Sequence, residues 1–141
     1  MQVDFHTHIP NTLDYACRLT RKIITAGQQL AIIAPSPLLR AIDEQLWTFS
    51  ALDFIPHCPF DHTLAPETPV LLAPHFTDTL QRHLLLNLGN MVLPPDTACV
   101  TRLLEVVSNQ PDELAAARAR YRVYLDRHYT LKSYKSISDP Q

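Results

Sequence analysis

The sequence predicts a single α/β domain, in which a doubly wound, mostly parallel sheet carries helices on both faces. Segments with apolar residues at helical spacing alternate with short segments that are apolar throughout. Continuous apolar runs of this kind are typical of strands that are covered on both sides. The chain has 141 residues and is 46% hydrophobic, which is enough for one core and excludes a disordered chain.

The first half of the chain predicts strand, helix, strand and helix in turn: residues 3–6, 11–26, 30–34 and 36–47. The first helix begins at Asn11, which caps helices well, and ends before Gly27, where a left-handed C-cap is favoured. Its apolar residues recur at helical spacing and form one apolar face. The second helix begins at Ser36, and Pro37 suits its first turn.

Prolines punctuate the middle of the chain, where we expect a short extended piece, a loop and one or two helical turns: residues 53–57, 58–69 and 76–82. Three further apolar runs predict strands: residues 70–73, 84–88 and 102–107. The last helix begins at Pro111 and extends to about His128. We therefore expect one domain at residues 1–129, and a polar tail at 130–141 that is partly ordered at best.

Glycine and cysteine usage excludes several classes of site. The two glycines, Gly27 and Gly89, are far apart, so neither a phosphate loop nor a dinucleotide fingerprint is present. Cys17, Cys58 and Cys99 form neither a disulfide framework nor a zinc motif, and we expect reduced, mostly buried thiols. No apolar run is long enough for a membrane span and the first residues lack a signal-peptide profile, so a cytoplasmic protein is expected.

Charge is distributed unevenly along the chain. Residues 118–141 contain six basic and two acidic residues, whereas residues 1–117 contain six basic and twelve acidic residues. A basic end on an acidic body favours a local site for an anionic partner. A solvated helix face is the alternative that charge alone leaves open.

Two histidines near the start, His6 and His8, follow Asp4 in the string Asp4-Phe5-His6-Thr7-His8. Alternation along a strand would place both imidazoles on one face, as in the first metal motif of amidohydrolases and PHP phosphoesterases. Those enzymes are barrels of about 200 residues or more. A small metal-dependent phosphoesterase is the alternative function, and two exposed histidines at the end of an edge strand are the structural alternative. No other pattern predicts a catalytic residue or a cofactor.

Two further clusters suggest binding rather than chemistry. Trp47 ends a predicted helix shortly before Phe54 and Pro56, and such a cluster is either a core plug or a protein-binding patch. Arg118 and Arg122 are four residues apart on the last helix, so they project from one face beside Tyr121. Two arginines over an aromatic floor suit a peptide that combines carboxylates with a hydrophobic end, or a phosphate backbone.

In combination, these motifs resemble the chi subunit of bacterial DNA polymerase III. The Ile42-Asp43-Glu44-Gln45-Leu46-Trp47 helix end followed by Asp53-Phe54-Ile55-Pro56-His57 resembles a Leu-Asp-Glu-x-Leu-Trp and Ser-Phe-(Val/Ile)-Pro-His pair in that family. The string Arg118-Ala119-Arg120-Tyr121-Arg122-Val123-Tyr124 resembles the family's last helix. The resemblance covers nearly the whole chain. It implies a P-loop-like α/β topology without a phosphate loop, and no catalysis by the subunit itself.

The resemblance also implies partners. One surface would bind the psi subunit, which ties chi to the clamp loader, and another the acidic, Phe-terminated C-terminal tail of single-stranded-DNA-binding protein (SSB). DNA would be reached only indirectly. By motif match, the tail site would use Arg118, Tyr121 and Arg122, with Val107 at the end of the preceding strand. Leu114 stands where the family has a basic residue, one turn before Arg118.

The second implied surface lies at the aromatic cluster. The psi-facing patch of the family would correspond to Trp47, Phe54 and Pro56, and related chi proteins are thought to receive a helicase partner there. Under the resemblance, this cluster is therefore an interface rather than a core plug. His6 and His8 match no functional residue of the family.

Overall fold

The computed structural model describes residues 1–48, 55–77, 80–89, 91–95, 97 and 99–135. Within them, the strands are β1 (Gln2–Ile9), β2 (Leu30–Ile33), β3 (His57–Pro59), β4 (Val70–Ala73), β5 (Leu84–Asn87), β6 (Arg102–Ser108) and β7 (Thr130–Lys135). The α-helices are α1 (Thr12–Thr25), α2 (Ser36–Thr48) and α3 (Pro111–Asp126). A short 3-10 turn spans Ala65–Glu67.

All seven strands belong to one sheet with the order β3-β4-β2-β5-β6-β1-β7, and every neighbouring pair is parallel. Helices α1 and α2 pack on one face, where Leu30 and Ile32 of β2 point. Helix α3 packs on the other face, where Ala31 and Ile33 point. The predicted doubly wound α/β class is therefore confirmed, with a sheet that is wholly parallel.

The helix boundaries follow the capping residues. The Asn11 side chain accepts a hydrogen bond from the Asp14 N–H at 3.0 Å and begins α1. Gly27 adopts a φ of +81°, a left-handed conformation that lets the Gly27 and Gln28 N–H groups bond back to the last turn. Pro111 lies in the first turn of α3, as predicted. No helix in the described ranges is long and apolar enough to cross a membrane.

The middle of the chain differs in detail from the prediction. Of the extended piece expected at 53–57, His57 lies in β3, and residues 53 and 54 are outside the described ranges. The expected loop at 58–69 contains the rest of β3 and the 3-10 turn. The helical turns expected within 76–82 include residues 78 and 79, which also lie outside the described ranges.

The first six residues of the predicted polar tail form a strand that the sequence analysis did not predict. Thr130–Lys135 forms β7, which pairs with β1 along six positions of register. The composition hides this strand because its side chains are exposed apart from half-buried Leu131, and the pairing comes from the backbone. It also means that β1 is an inner strand rather than an edge strand. Residues 136–141 lie outside the described ranges.

The three cysteines are free thiols in different environments. Cys17 is buried, and burial, with a contribution from nearby Asp14, raises its pKa to about 12. Cys58 and Cys99 are half-buried, so the expectation of buried thiols holds fully only for Cys17.

Candidate functional site

Four of the six basic residues in the C-terminal segment are exposed, one is half-buried and one is buried. Arg120 is 2% exposed. Arg127 donates a hydrogen bond to the Leu93 carbonyl at 2.6 Å and lies over the Tyr124 and Tyr129 rings. The exposed cations are Arg118, Arg122, Lys132 and Lys135. The exposed positive charge of the C-terminal segment thus lies on α3 and β7.

Helix α3 presents Arg118 and Arg122 to solvent one turn apart. Neither guanidinium forms an ion pair with a described residue. Tyr121 is half-buried between them, and its ring centroid lies 5.5 Å from that of Phe5 on β1. The arrangement offers two uncommitted cations beside an aromatic surface that is fixed from below.

The other two residues of the predicted site have apolar surroundings. Val107 is 2% exposed and belongs to the same apolar cluster as Leu114, Ala117 and Tyr121. It therefore supports this region from beneath. Leu114 is half-buried on that cluster, so no cation stands one turn before Arg118.

A buried ionic network holds α3 in place on the sheet. Glu105 of β6 is fully buried, and Arg120 reaches its Oε1 with Nε at 3.2 Å and Nη2 at 3.1 Å. The Tyr124 hydroxyl donates to Oε2 at 3.0 Å, and Asn87 Nδ2 donates to the same oxygen at 3.0 Å. Burial raises the pKa of Glu105, while the Arg120 charge and the hydrogen bonds oppose the rise. This network fixes the rotation of α3, and with it the directions of Arg118 and Arg122.

Trp47, at the end of α2, is exposed and is not a core plug. Its side chain is 58% exposed, and its ring meets His57 edge-on with centroids 5.1 Å apart. The His57 imidazole is buried beneath it, with Nε2 3.0 Å from Asp43 Oδ1 and Nδ1 2.7 Å from the Ile55 carbonyl oxygen. The indole is therefore presented to solvent on a supported surface.

The neighbours of Trp47 divide between core and surface. Ile55 is buried in the cluster under α1 and α2, whereas Pro56 is exposed. Phe54, the third residue predicted for this patch, lies outside the described ranges.

The two histidines near the start occupy different environments. His6 Nδ1 lies 2.5 Å from the Tyr15 hydroxyl oxygen, and the Tyr134 ring packs on the imidazole. Burial lowers the pKa of His6 despite the nearby Asp4 charge. His8 has a φ of +59°, and the register of β1 shifts between His6 and Ile9, which breaks the alternation from which a shared face was predicted. In the described part of the chain, no three His, Cys, Asp or Glu residues could together hold a metal ion.

Two features were missed by sequence reasoning. Arg120 belongs to the same basic string as Arg118, yet it is an internal residue. A buried acidic residue in an apolar strand, Glu105, was the signal that could have indicated an internal cation. The second feature is an apolar cavity of about 380 Å³ at the carboxyl ends of β2, β4 and β5, bordered by Phe76 and Met91.

Comparison with known proteins adds two findings. The family model described as DNA polymerase III chi subunit, HolC, matches residues 1–132. A relative from Pseudomonas aeruginosa, named DNA polymerase III subunit chi, is 31% identical over 140 residues. That match covers 95% of this chain and 96% of the relative.

Proposed function

The chain belongs to the DNA polymerase III chi subunit family, and on that premise we propose that it is a non-catalytic adaptor of the replication machinery. In this proposal it links the clamp loader, through psi, to the acidic C-terminal tail of SSB, and acts in the cytoplasm at the replisome. The observation that carries the proposal is the pair of exposed arginines, Arg118 and Arg122, beside Tyr121 on a helix that a buried ion pair fixes.

The tail site is proposed on α3. Arg118 and Arg122 project one turn apart from one face of the helix, and their charges are not used by described neighbours. They would bind carboxylates of the tail, while Tyr121 would contact its terminal aromatic ring. Val107 would support the floor from beneath. Four exposed cations on an acidic chain are too few for strong binding of bare DNA, which favours an acidic peptide.

The psi-facing surface, which would also receive a helicase partner, is proposed at Trp47, Pro56 and Phe54. Trp47 is exposed, and Trp is enriched among the residues that dominate interface energies. Helix α2 packs near β3 and β4 at one edge of the sheet, whereas α3 packs near β7 at the other. Six strand spacings of about 4.8 Å separate the two edges, or roughly 29 Å. Two partners could therefore bind at once, as an adaptor requires.

Calorimetric titration with a short acidic peptide that ends in Ile-Pro-Phe tests the tail site. We expect one-to-one binding near 1 μM, or about −8 kcal/mol, that weakens as salt rises. The Arg118→Ala, Arg122→Ala double variant should bind roughly 30-fold or more weakly, because two charge-assisted contacts are lost.

A matched control removes the same charge elsewhere. Lys22 on α1 and Arg40 on α2 are exposed, so a Lys22→Ala, Arg40→Ala variant keeps the same net charge as the double variant. It should bind the peptide like the unmodified protein. Equal loss in both variants would show a general charge effect and contradict the site.

A further inference from the structure

One side of α3 faces the edge strand β7. A stripe of residues spaced four, three and four apart runs along this side: Leu114, Arg118, Tyr121 and Leu125. The side of α3 that carries Glu113 and Arg120, roughly 100° around the helix from the stripe, faces β6, because Glu113 accepts a hydrogen bond from Ser108 at 2.8 Å and Arg120 pairs with Glu105. Since β1 lies between β6 and β7, the stripe faces β7. Leu125, at one end of the stripe, is 54% exposed, so this part of the stripe is open to solvent.

Lys135 lies on the same face of the sheet, at the level of Arg118. Tyr121 packs on Phe5 of β1, and Thr7, two residues further along β1, pairs with Lys135. Two residues of a strand advance about 6.6 Å, slightly more than one helical turn of about 5.4 Å. Helix α3 runs against the strand direction, so this step leads from Tyr121 to Arg118.

The outer edge of β7 is open for pairing. Within the described ranges the sheet ends at β7. Thr130 N–H donates to the Met1 carbonyl at 3.0 Å, so the even-numbered residues of β7 bond to β1. By alternation, the backbone groups of Leu131, Ser133 and Lys135 point toward the open edge. An extended peptide could add there as an eighth strand.

The charges on this edge select the kind of peptide. Lys132 and Lys135 are exposed on β7, and Arg118 and Arg122 are exposed on the neighbouring helix. Edge lysines oppose pairing with neutral or basic strands, and they attract an acidic one. The first 117 residues carry twice as many acidic as basic residues, whereas residues 118–141 carry six basic and two acidic residues.

We infer that β7 is part of the peptide site, a step that rests on the proposed function. The acidic peptide pairs in extended form with the open edge of β7, on the side of the sheet where the stripe of α3 faces solvent. Lys135 supplies, from the strand, the cation that Leu114 does not supply from the helix.

A charge reversal on β7 tests the role of Lys135. The Lys135→Glu variant of the full chain should bind the acidic Phe-terminated peptide about five- to ten-fold more weakly, as a lost attraction is replaced by a repulsion. Lys22→Glu makes the same change in net charge on α1 and should leave binding within about two-fold of the unmodified protein. Equal affinities for the Lys135→Glu and Lys22→Glu variants would overturn the inference.

Backbone methylation of the peptide tests the extended pairing. Two peptide series carry N-methyl groups at alternate residues, offset by one position. If the peptide adds to β7, only the series in which methylation removes the N–H groups that face the strand should lose binding, by at least about ten-fold. Equal affinities of the two series would overturn the pairing with β7.

The outcomes separate this inference from the proposed function. If the unmodified protein does not bind the peptide, the proposed function itself fails. If Arg118→Ala, Arg122→Ala abolishes binding while Lys135→Glu and both methylated series bind normally, the helix site stands and the role of β7 is refuted.

Discussion

At the scale of single residues, Arg118 and Arg120 show how two arginines of one motif take opposite roles. They are two positions apart on α3, yet Arg118 is exposed and Arg120 is 2% exposed against Glu105. A 200° rotation around the helix separates two neighbours of this kind. We therefore expect Arg118 to contribute to binding, and Arg120 to the stability of the fold.

Leu114 gives a direct test of charge at the tail site. A Leu114→Lys variant places a cation one turn before Arg118, where its aliphatic stem can still cover the apolar cluster. We expect the acidic peptide to bind about two- to five-fold more tightly at low salt, with the gain disappearing at high salt. Calorimetry at two salt concentrations measures this, with Leu114→Gln as the uncharged control. A gain of equal size for Gln would contradict an electrostatic cause.

Asp4 predicts a pH-dependent contribution to stability. Burial acts to raise its pKa, but hydrogen bonds from Gln2 at 3.0 Å and Arg102 at 2.7 Å outweigh burial, so its pKa is lowered. A lowered pKa in the folded state adds stability at pH values above the unfolded-state pKa of about 4. That stability is lost as pH falls through the folded-state pKa. Asp4→Asn should lower the free energy of unfolding by about 1–2 kcal/mol at pH 7.

Urea unfolding at several pH values checks the Asp4 prediction. The difference between the unmodified protein and Asp4→Asn should shrink as pH falls below about 4. Asp126 is exposed at the end of α3, so Asp126→Asn is the matched control and should have little effect at either pH. A constant difference across the whole range would show that the carboxylate charge of Asp4 is not the cause.

At the scale of elements, α3 depends on the ion pair beneath it. Arg120→Ala leaves Glu105 buried without its cation, which should lower the free energy of unfolding by about 3–5 kcal/mol. Arg118→Ala removes an exposed side chain and should change it by less than about 0.5 kcal/mol. Urea unfolding of the two variants measures the contrast.

A double variant distinguishes the buried charge from lost packing. Glu105→Gln combined with Arg120→Met removes both charges and keeps similar volumes, so it should recover part of the stability that Arg120→Ala loses. If the double variant is no more stable than Arg120→Ala, packing rather than an unpaired carboxylate explains the loss.

At the scale of the whole molecule, the proposed partner surfaces lie at opposite edges of one sheet. Trp47→Ala should weaken binding of psi by at least about ten-fold and leave the affinity for the acidic peptide unchanged. Arg118→Ala, Arg122→Ala should do the reverse. Titration of each variant with psi and with the peptide measures both affinities. Loss of both affinities in either variant would show that the surfaces are coupled or that the variant is misfolded, which circular dichroism separates.

Sequence patterns predicted the strands that are buried and missed the edge strand that backbone hydrogen bonds hold in the sheet. The inner strands β2 and β4 are apolar throughout, and β5 is apolar apart from Asn87, because both faces of the sheet are covered, so their composition reveals them. Strand β7 is polar because it lies at the edge, and its order comes from backbone bonds to β1, which composition does not record. For the candidate site, spacing predicted that Arg118 and Arg122 share a face. It could not show that Arg120 is internal, because that depends on Glu105 in a distant strand.

We propose that this chain recognises the acidic tail of SSB through α3. The decisive comparison is its binding to full-length SSB on single-stranded DNA and to SSB that lacks the acidic C-terminal segment. We expect salt-sensitive binding to intact SSB and no binding to the truncated form. The Arg118→Ala, Arg122→Ala double variant should likewise fail to bind intact SSB. Equal binding to intact and truncated SSB, or full binding by the double variant, would contradict it.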